Sequence, residues 1–387
     1  MRRELLIAAG PGEWRAAWLE DGAAAELFVE RGDAAPAGSL HLGRVVHLVA
    51  GLDAALVDIG EERPGFLPLP RSQGSGGLGE GARVVVQVRR EAQRGKAARL
   101  SVRLPEAEAA RHAAAATKAD PPTQLSPLPG LAAALAQRLP GVPELVLTDD
   151  PSMLVELRRA FAGIEIMHRR AADWPLDLDA ALDSALSPTV VLPGGGSMHI
   201  DDTSAAVLID VDTGSPETGT AARIAMAVNL SATAAVARQL RLRHLGGGIL
   251  VDFAALEGRG PRERVRQAMA AAIAADPARP QVLGWGRLGH LEMVRPRRLR
   301  PLAEAMLEPG LPRKSAAALA FEALRALARE ARTRPAANWR LAVSPTIETA
   351  LRGPAAAGLR SLEQRLGRKI VVAIDPNLAA PFDIVAQ

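Results

Sequence analysis

No cysteine occurs among the 387 residues, which excludes disulfides and thiolate zinc sites and suits the cytoplasm. Lysine is nearly missing too. Lys96, Lys118, Lys314 and Lys369 are the only ones, so arginine carries almost all of the positive charge. Arginine suits bidentate phosphate contacts. Abundant Ala, Arg, Gly and Pro also mark GC-rich genomes, however, and the net charge is only +4, so composition alone supports a nucleic-acid partner weakly. Apolar runs are short: Arg, Asp or Glu interrupts each one before the roughly 18 to 20 residues of a membrane span. The brief apolar stretch behind Arg2 and Arg3 is read as a first strand and not as a signal peptide. There is no P-loop, no internal repeat and no Ser–His–Asp pattern, which argues against a nucleotide cofactor and against a serine hydrolase.

What is present organises into layers. Hydrophobic residues make up 48% and charged ones 23%, as in a soluble globular protein, and the length suggests two or three domains at about 150 residues each. "RELLIAA" and "EWRAAWLEDGAAAELFVER" read as three short strands with a hairpin turn at "EDG". "GDAAPAGS" is a linker. From 40 to about 104, short strands separated by Gly turns suggest a small barrel, with "RSQGSGGLGEG" as a flexible loop. Beyond an Ala- and Pro-rich stretch over 105–140, strands and helices alternate, which favours an α/β layer. The clearest unit is a hairpin, "SMHID–DTSA–AVLIDV", then a helix over 221–245 ending at Gly246–Gly248, where glycine caps helices well. "GILVDF" follows as a strand buried on both faces, then a helix over 261–275 and the strands "PQVLGWGR" and "HLEMVRP".

In that unit, Asp210 ends one strand and Asp252 another. Sites in open α/β sheets form at the carboxyl ends of strands, and alternation puts Asp212 on the face of Asp210. Two carboxylates about 4 Å apart repel by roughly 4 kcal/mol at an effective dielectric of 20. A Mg²⁺ ion held by one or two carboxylates and several waters would offset this. So would an arginine, with Arg223, Arg287 and Arg295 as candidates, and a third option is that one acid caps a helix. The glycines 194–196 are either a plain turn or a close approach to phosphate. The basic stretches "RQLRLRH", "RGPRERVR" and "RPRRLRP" read singly as solvated faces and together as a surface for a polyanion. In the barrel, Phe66 is a base-stacking candidate with core packing as its rival, and Lys96 and Arg99 could meet phosphates. His199 and His244 read as surface or structural residues.

These motifs resemble, in order and over most of the chain, the ribonuclease E/G family. "GRVVHLVAGLDAALVDIGEERPGFLPL" is similar to its inserted OB-fold RNA-binding barrel. "GGGSMHIDDTSAAVLIDVDTG", "NLSATAAVARQLRLRHLGGGILVDF" and "GRLGHLEMVRPR" are similar to its catalytic core, and the stretch from "SPTIETALRG" to "FDIV" to its small C-terminal domain. The resemblance implies an α/β multidomain fold. An RNase-H-like layer would occupy 1–37 and 140–196, the OB fold 38–104, and a shortened sensor-like region 105–139. A DNase-I-like catalytic subdomain would cover 197–308 and a small α/β domain 309–387. It implies a cytoplasmic enzyme hydrolysing single-stranded RNA to leave 5′-phosphates, with Mg²⁺ as cofactor, Asp210 and Asp252 as catalytic residues, and Asp210, Asp252 and Asp212 as the expected metal-binding residues. Phe66, Lys96, Arg99, Arg44, Arg241, Arg279 and Arg287 are the expected RNA contacts.

Three departures stand out. Asp212 replaces the family's usual Asn, exchanging a hydrogen-bond donor for an acceptor. The two-cysteine zinc link between protomers is absent, which points to a monomer or homodimer and not a zinc-linked tetramer. The 5′-monophosphate sensor has no clear counterpart, and Leu56 stands where many relatives carry an aromatic. The alternative to an active endoribonuclease is a catalytically weakened RNA-binding paralogue.

Overall fold

The computed structural model describes the chain except residues 1, 32–34, 36, 62, 70–77, 93–95, 105–115, 127–129, 216–219 and 387. Residues 71–77 of the loop expected over 71–81 and part of the 105–139 region therefore lie outside the described residues, as does part of the 32–39 linker. By its contacts the chain divides into two units, one formed by 1–30 and 135–387 and the other by 31–134.

The smaller unit is a closed five-stranded barrel. Its strands run in the spatial order Ala54–Asp58, Gly65–Pro68, Arg99–Ser101, Arg83–Arg90 and Leu40–Val49, and the last pairs back onto the first. Only Gly65–Pro68 and Arg99–Ser101 are parallel. This is OB-like topology. So small a barrel needs close packing: a Cβ on Gly65 would sit 2.6 Å from Leu100 Cδ1, so glycine there lets the Leu100 side chain fill the interior. Val45, Val57, Leu67, Val86, Val88 and Leu100 form that interior.

The larger unit holds three sheets. The first runs Glu165–His168, Leu145–Thr148, Arg3–Ala9, Trp14–Glu20, Ala23–Glu30. Its first three strands are parallel and its last two form antiparallel hairpins with them. A second, six-stranded sheet runs Thr189–Val191, Ser197–Asp202, Ala206–Asp212, Gly247–Asp252, Leu291–Arg295, Gln281–Trp285. Its central pair alone is parallel, and the helix Ala221–Leu242 makes the crossover that a parallel pair requires. The third is a three-stranded sheet around Trp339–Val343, which packs with the helices Ala316–Thr333, Pro345–Arg352 and Ala356–Leu366 into one core cluster.

The crossover helix serves two layers. Val228, Ala232, Val236 and Leu240 recur at helical spacing and bury against Ile209, Ile249 and Val251 of the second sheet, each valine or leucine contributing about 1.5–3 kcal/mol on burial. Its C-terminal turn is fastened to the first sheet: Arg238 donates to the Ala24 carbonyl, and His244 to that of Leu27 at 2.6 Å. The helix ends at Leu242, short of the expected 245. The left-handed residue after it is His244, at φ +56°, and not a glycine. The next helix runs Arg259–Ala272, two to three residues earlier than expected at each end.

One sequence expectation is overturned outright. The strand Gly247–Asp252 is not buried on both faces. Ile249 and Val251 are buried, whereas Leu250 is half-buried and Asp252 exposed. Its neighbour alternates likewise, with Val207, Ile209 and Val211 inside and Leu208, Asp210 and Asp212 outside. The sheet packs its helices on one face, and the acids stand on the other.

Candidate active site

Asp210 and Asp252 are direct register partners on the two parallel strands. Partners in a ladder project from the same face, and neighbouring strands lie about 4.8 Å apart, so the carboxylates stand side by side at the strand ends. The row continues across the sheet. His199 is the partner of Asp210 on one side, and His290, just before the strand Leu291–Arg295, places Nε2 3.5 Å from Asp252 Oδ2 on the other. Asp212 lies two residues beyond Asp210 on the same face, but its Oδ1 accepts from the Gly214 backbone N–H at 2.8 Å, so one of its oxygens holds a turn. Among the described residues no group of three or more His, Asp or Glu side chains is arranged to hold a metal ion. The acid pair stands as a two-carboxylate arrangement.

The pair opens into a cleft of about 380 Å³ lined by Val211, Phe253, Ala254, Leu256, Arg262 and Trp285 with Gly289 at its edge. The loop after Asp252 that forms one wall is clamped from below. Asn229, fully buried on the crossover helix, donates Nδ2 to the Ala254 carbonyl at 2.8 Å and accepts the Ala254 N–H at 3.0 Å. An amide side chain matches a peptide unit donor for acceptor, so this one residue fixes the backbone two positions beyond the catalytic candidate. On the far side of Asp210, the glycines 194–196 form a turn with φ of 86°, 107° and 79°. A Cβ on Gly196 would lie 2.5 Å from the Asp212 carbonyl oxygen. The close approach at Gly196 is to the protein's own backbone, while a Cβ on Gly194 or Gly195 would meet nothing within 4 Å.

The arginines expected to offset the acids or to meet RNA divide. Arg287 is exposed at the hairpin tip next to Gly289 and His290. Arg295 is buried and tied to Asp276 at 2.7 Å and to the Leu245 carbonyl, so it offsets a different acid. Arg241 is corrected as an RNA contact: its guanidinium donates two bonds to Glu20, at 2.9 and 2.7 Å, and reaches Glu26, so its forked donors join the crossover helix to the first sheet. Arg279 is exposed but sits before Gln281, whose partner Val294 is level with Gly248. That is the opposite end of the sheet, some 20 Å along the strands from Asp252 at about 3.3 Å per residue. Arg223 is exposed near the start of the crossover helix.

In the barrel, Phe66 is half-buried, while its neighbours Gly65 and Leu67 are buried and only Leu67 belongs to the core cluster. Phe66 thus lies outside the core that was its rival role. It belongs to an outer row running His47, Leu56, Phe66, Arg99, Arg90 across the strands. Arg99 and Lys96 are exposed. Arg44 is exposed between its register partners Asp58 and Arg83.

His244 is structural, as expected: it is buried, tilted against Phe28 with centroids 5.2 Å apart, and burial pushes its pKa down to about 4. Three residues of the acid site went unremarked in the sequence. His290 and Trp285 gave no local signal, because only strand pairing brings them level with Asp252. Asn229 could have been suspected, since a polar residue at a core-facing helical position needs a partner.

A model of the Ribonuclease E/G family matches residues 162–298, the stretch that contains the whole acid-bearing sheet and the cleft. Ribonuclease G of Escherichia coli K12 is 24% identical over 494 aligned positions spanning all of both chains. Ribonuclease G of Salmonella typhimurium is 29% identical over 224 residues, 54% of this chain and 44% of that one. Ribonuclease E of a Nostoc species is 39% identical over 139 residues, 35% of this chain and 20% of its own. The match over 162–298 and the full-length similarity to ribonuclease G support a protein of the ribonuclease E/G family. The OB-like barrel lies outside the stretch that the family model matches. No helix among its described residues is long and apolar enough to cross a membrane.

Proposed function

We propose that this family member is an endoribonuclease that hydrolyses single-stranded RNA at the cleft beside Asp210 and Asp252, leaving 5′-phosphate ends. The observation that carries the reading is the register pairing of these two aspartates at the open end of the sheet. Adjacent exposed carboxylates repel, and the pair fits a hard divalent cation that keeps most of its waters. Asp210 and Asp252 would hold Mg²⁺, which supplies stabilisation of charge developing on the phosphate and a lowered pKa for water. Asp212 would add a further acid on the same face of the strand, and its bond to Gly214 keeps the strand end in place. Arg262 and Arg287 face the substrate with fixed positive charge, and the outer row of the barrel, Phe66 with Arg99 and Lys96, offers a stacking and phosphate-contacting surface for single-stranded RNA. The five-stranded first sheet corresponds to the RNase-H-like layer and the six-stranded sheet to the DNase-I-like subdomain in this reading.

The test is cleavage of a 5′-labelled unstructured RNA in Mg²⁺ against EDTA. Cleavage in Mg²⁺ only, with a loss of a thousandfold or more in Asp210→Asn and in Asp252→Asn while RNA binding persists, is the expected result; that loss corresponds to about 4 kcal/mol of transition-state stabilisation. Retained cleavage in either variant overturns the assignment. RNA binding with no cleavage by the wild-type chain supports the weakened paralogue instead.

A further inference from the structure

The acid pair occupies only one wall of its cleft. The same cleft is also lined by aromatic rings, in a chain with only five Trp, six Phe and no Tyr. Phe253 and Trp285 pack there, ring centroids 6.0 Å apart and tilted by 57°. The Arg262 guanidinium lies over the indole, 5.6 Å from its centroid. The indole is held in place, because its Nε1–H donates to the Arg262 carbonyl at 3.1 Å. Arg262 itself is exposed in the first turn of the helix Arg259–Ala272, and its acidic neighbour Glu263 is already engaged by Arg266 at 2.6 Å and by Gln267. A guanidinium plane fixed over an indole, half-exposed beside two carboxylates, is a surface onto which a planar ring can stack.

The geometry points to a nucleobase subsite: Arg262 and Trp285 stack the base of a nucleotide flanking the scissile phosphate, and so place that phosphate against Asp210 and Asp252. The inference rests on the proposed RNA substrate and adds a specificity-determining contact to it. Stacking tolerates any base, so the subsite senses whether a base is present and unpaired more than which base it is. A base still paired in a duplex has no free face to offer, which makes this contact a filter for single strands.

Binding of a short oligoadenylate RNA to the full chain in EDTA tests the contact without cleavage. Tryptophan emission should be quenched on binding, and the quenching should be lost in Trp285→Phe, which retains a ring and binds within about threefold of wild type. Trp285→Leu should weaken binding about tenfold, within the roughly 1–3 kcal/mol that one stacked base contributes. Arg262→Lys keeps the charge and loses the plane, so it should weaken binding as much as Arg262→Ala. An abasic nucleotide walked along the strand should lower wild-type affinity at one position next to the cut, and Trp285→Leu should be indifferent to it.

Wild-type affinity in Arg262→Lys overturns the inference, as does equal binding of intact and abasic strands by the wild-type chain. Should Trp285→Leu fail to fold, Arg262→Lys and the abasic series still decide. Quenching without any cleavage in Mg²⁺ would keep the subsite and sink the nuclease, whereas cleavage blind to the abasic position would do the reverse. Failure to bind any single strand overturns both.

Discussion

Two clusters of charge in the larger unit follow opposite logic. Beside the first sheet, Glu13 accepts from both Arg15, at 2.9 Å, and Arg325, while Asp179 accepts from Arg15 and Arg329, each at 2.8 Å. Glu13, Arg15 and Arg325 are buried. Burial pushes Arg325 down to about 10, helped by the neighbouring Arg15. Burial acts to raise Asp179 as well, but Arg15 and Arg329 outweigh it and hold that carboxyl down at about 2. Each charge there answers another charge of the protein. At the second sheet, Asp210 and Asp252 stand exposed and side by side; among the described residues no arginine is paired with either, while His290 stands 3.5 Å from Asp252. The difference separates a cluster built to hold the fold from one whose neutralisation is left to something that binds.

Substitution should expose that difference most sharply. Removing Glu13 by Glu13→Ala leaves Arg15 and Arg325 buried without their shared anion, and a loss of 3–5 kcal/mol is expected from breaking such a buried pair. Asp252→Asn removes a like-charge neighbour from an exposed site and should leave metal-free stability unchanged or slightly higher. Urea unfolding of the two variants checks the contrast, and a destabilised Asp252→Asn would erase it.

Acid titration gives the next largest effect. The buried His244 is neutral when folded, with its pKa depressed to about 4 from 6.5. Below pH 6.5 the unfolded chain takes up a proton that the folded chain refuses, so stability falls as pH drops and the loss is complete near pH 4. It amounts to about 3 kcal/mol. His244→Asn, which tolerates the left-handed backbone, should flatten this slope even though it lowers stability overall. Asp179 contributes in a lower window: its stabilisation is present above pH 4 and is lost as pH falls toward 2.

Asn229→Ala orphans both backbone groups of Ala254, for an expected cost of about 2 kcal/mol. Cleavage should slow about tenfold as the loop after Asp252 loosens, a penalty of about 1.4 kcal/mol. Unchanged cleavage in a destabilised Asn229→Ala would make the clamp purely structural. Smallest is the metal effect itself. Saturating Mg²⁺ should raise the melting temperature of the wild type by about 2–5 °C through mass action, and should not raise that of Asp210→Asn.

Much of the fold was legible because its signals are local. The hairpin at "EDG", the alternating strand "AVLIDV" and the short Gly-punctuated strands of the barrel each state their own period. The exposure of the acid-bearing face was not legible. "GILVDF" reads as a doubly buried strand, and nothing local reveals that its sheet packs helices on one side only. Arg241 and Arg287 look alike as candidate RNA contacts; one is consumed by Glu20 and the other is displayed at a hairpin tip, and the difference lies in residues far away in the chain.

Residue chemistry along the chain was enough to single out Asp210 and Asp252 and the family to which their surroundings belong. Strand register, set by burial of Ile209, Ile249 and Val251 against the crossover helix, made those two acids neighbours and brought His199, Trp285, His290 and Arg262 around them. Such contacts join residues dozens of positions apart. Tertiary packing alone, which selects one register because a slip of one residue would turn every acid into the core, could decide them.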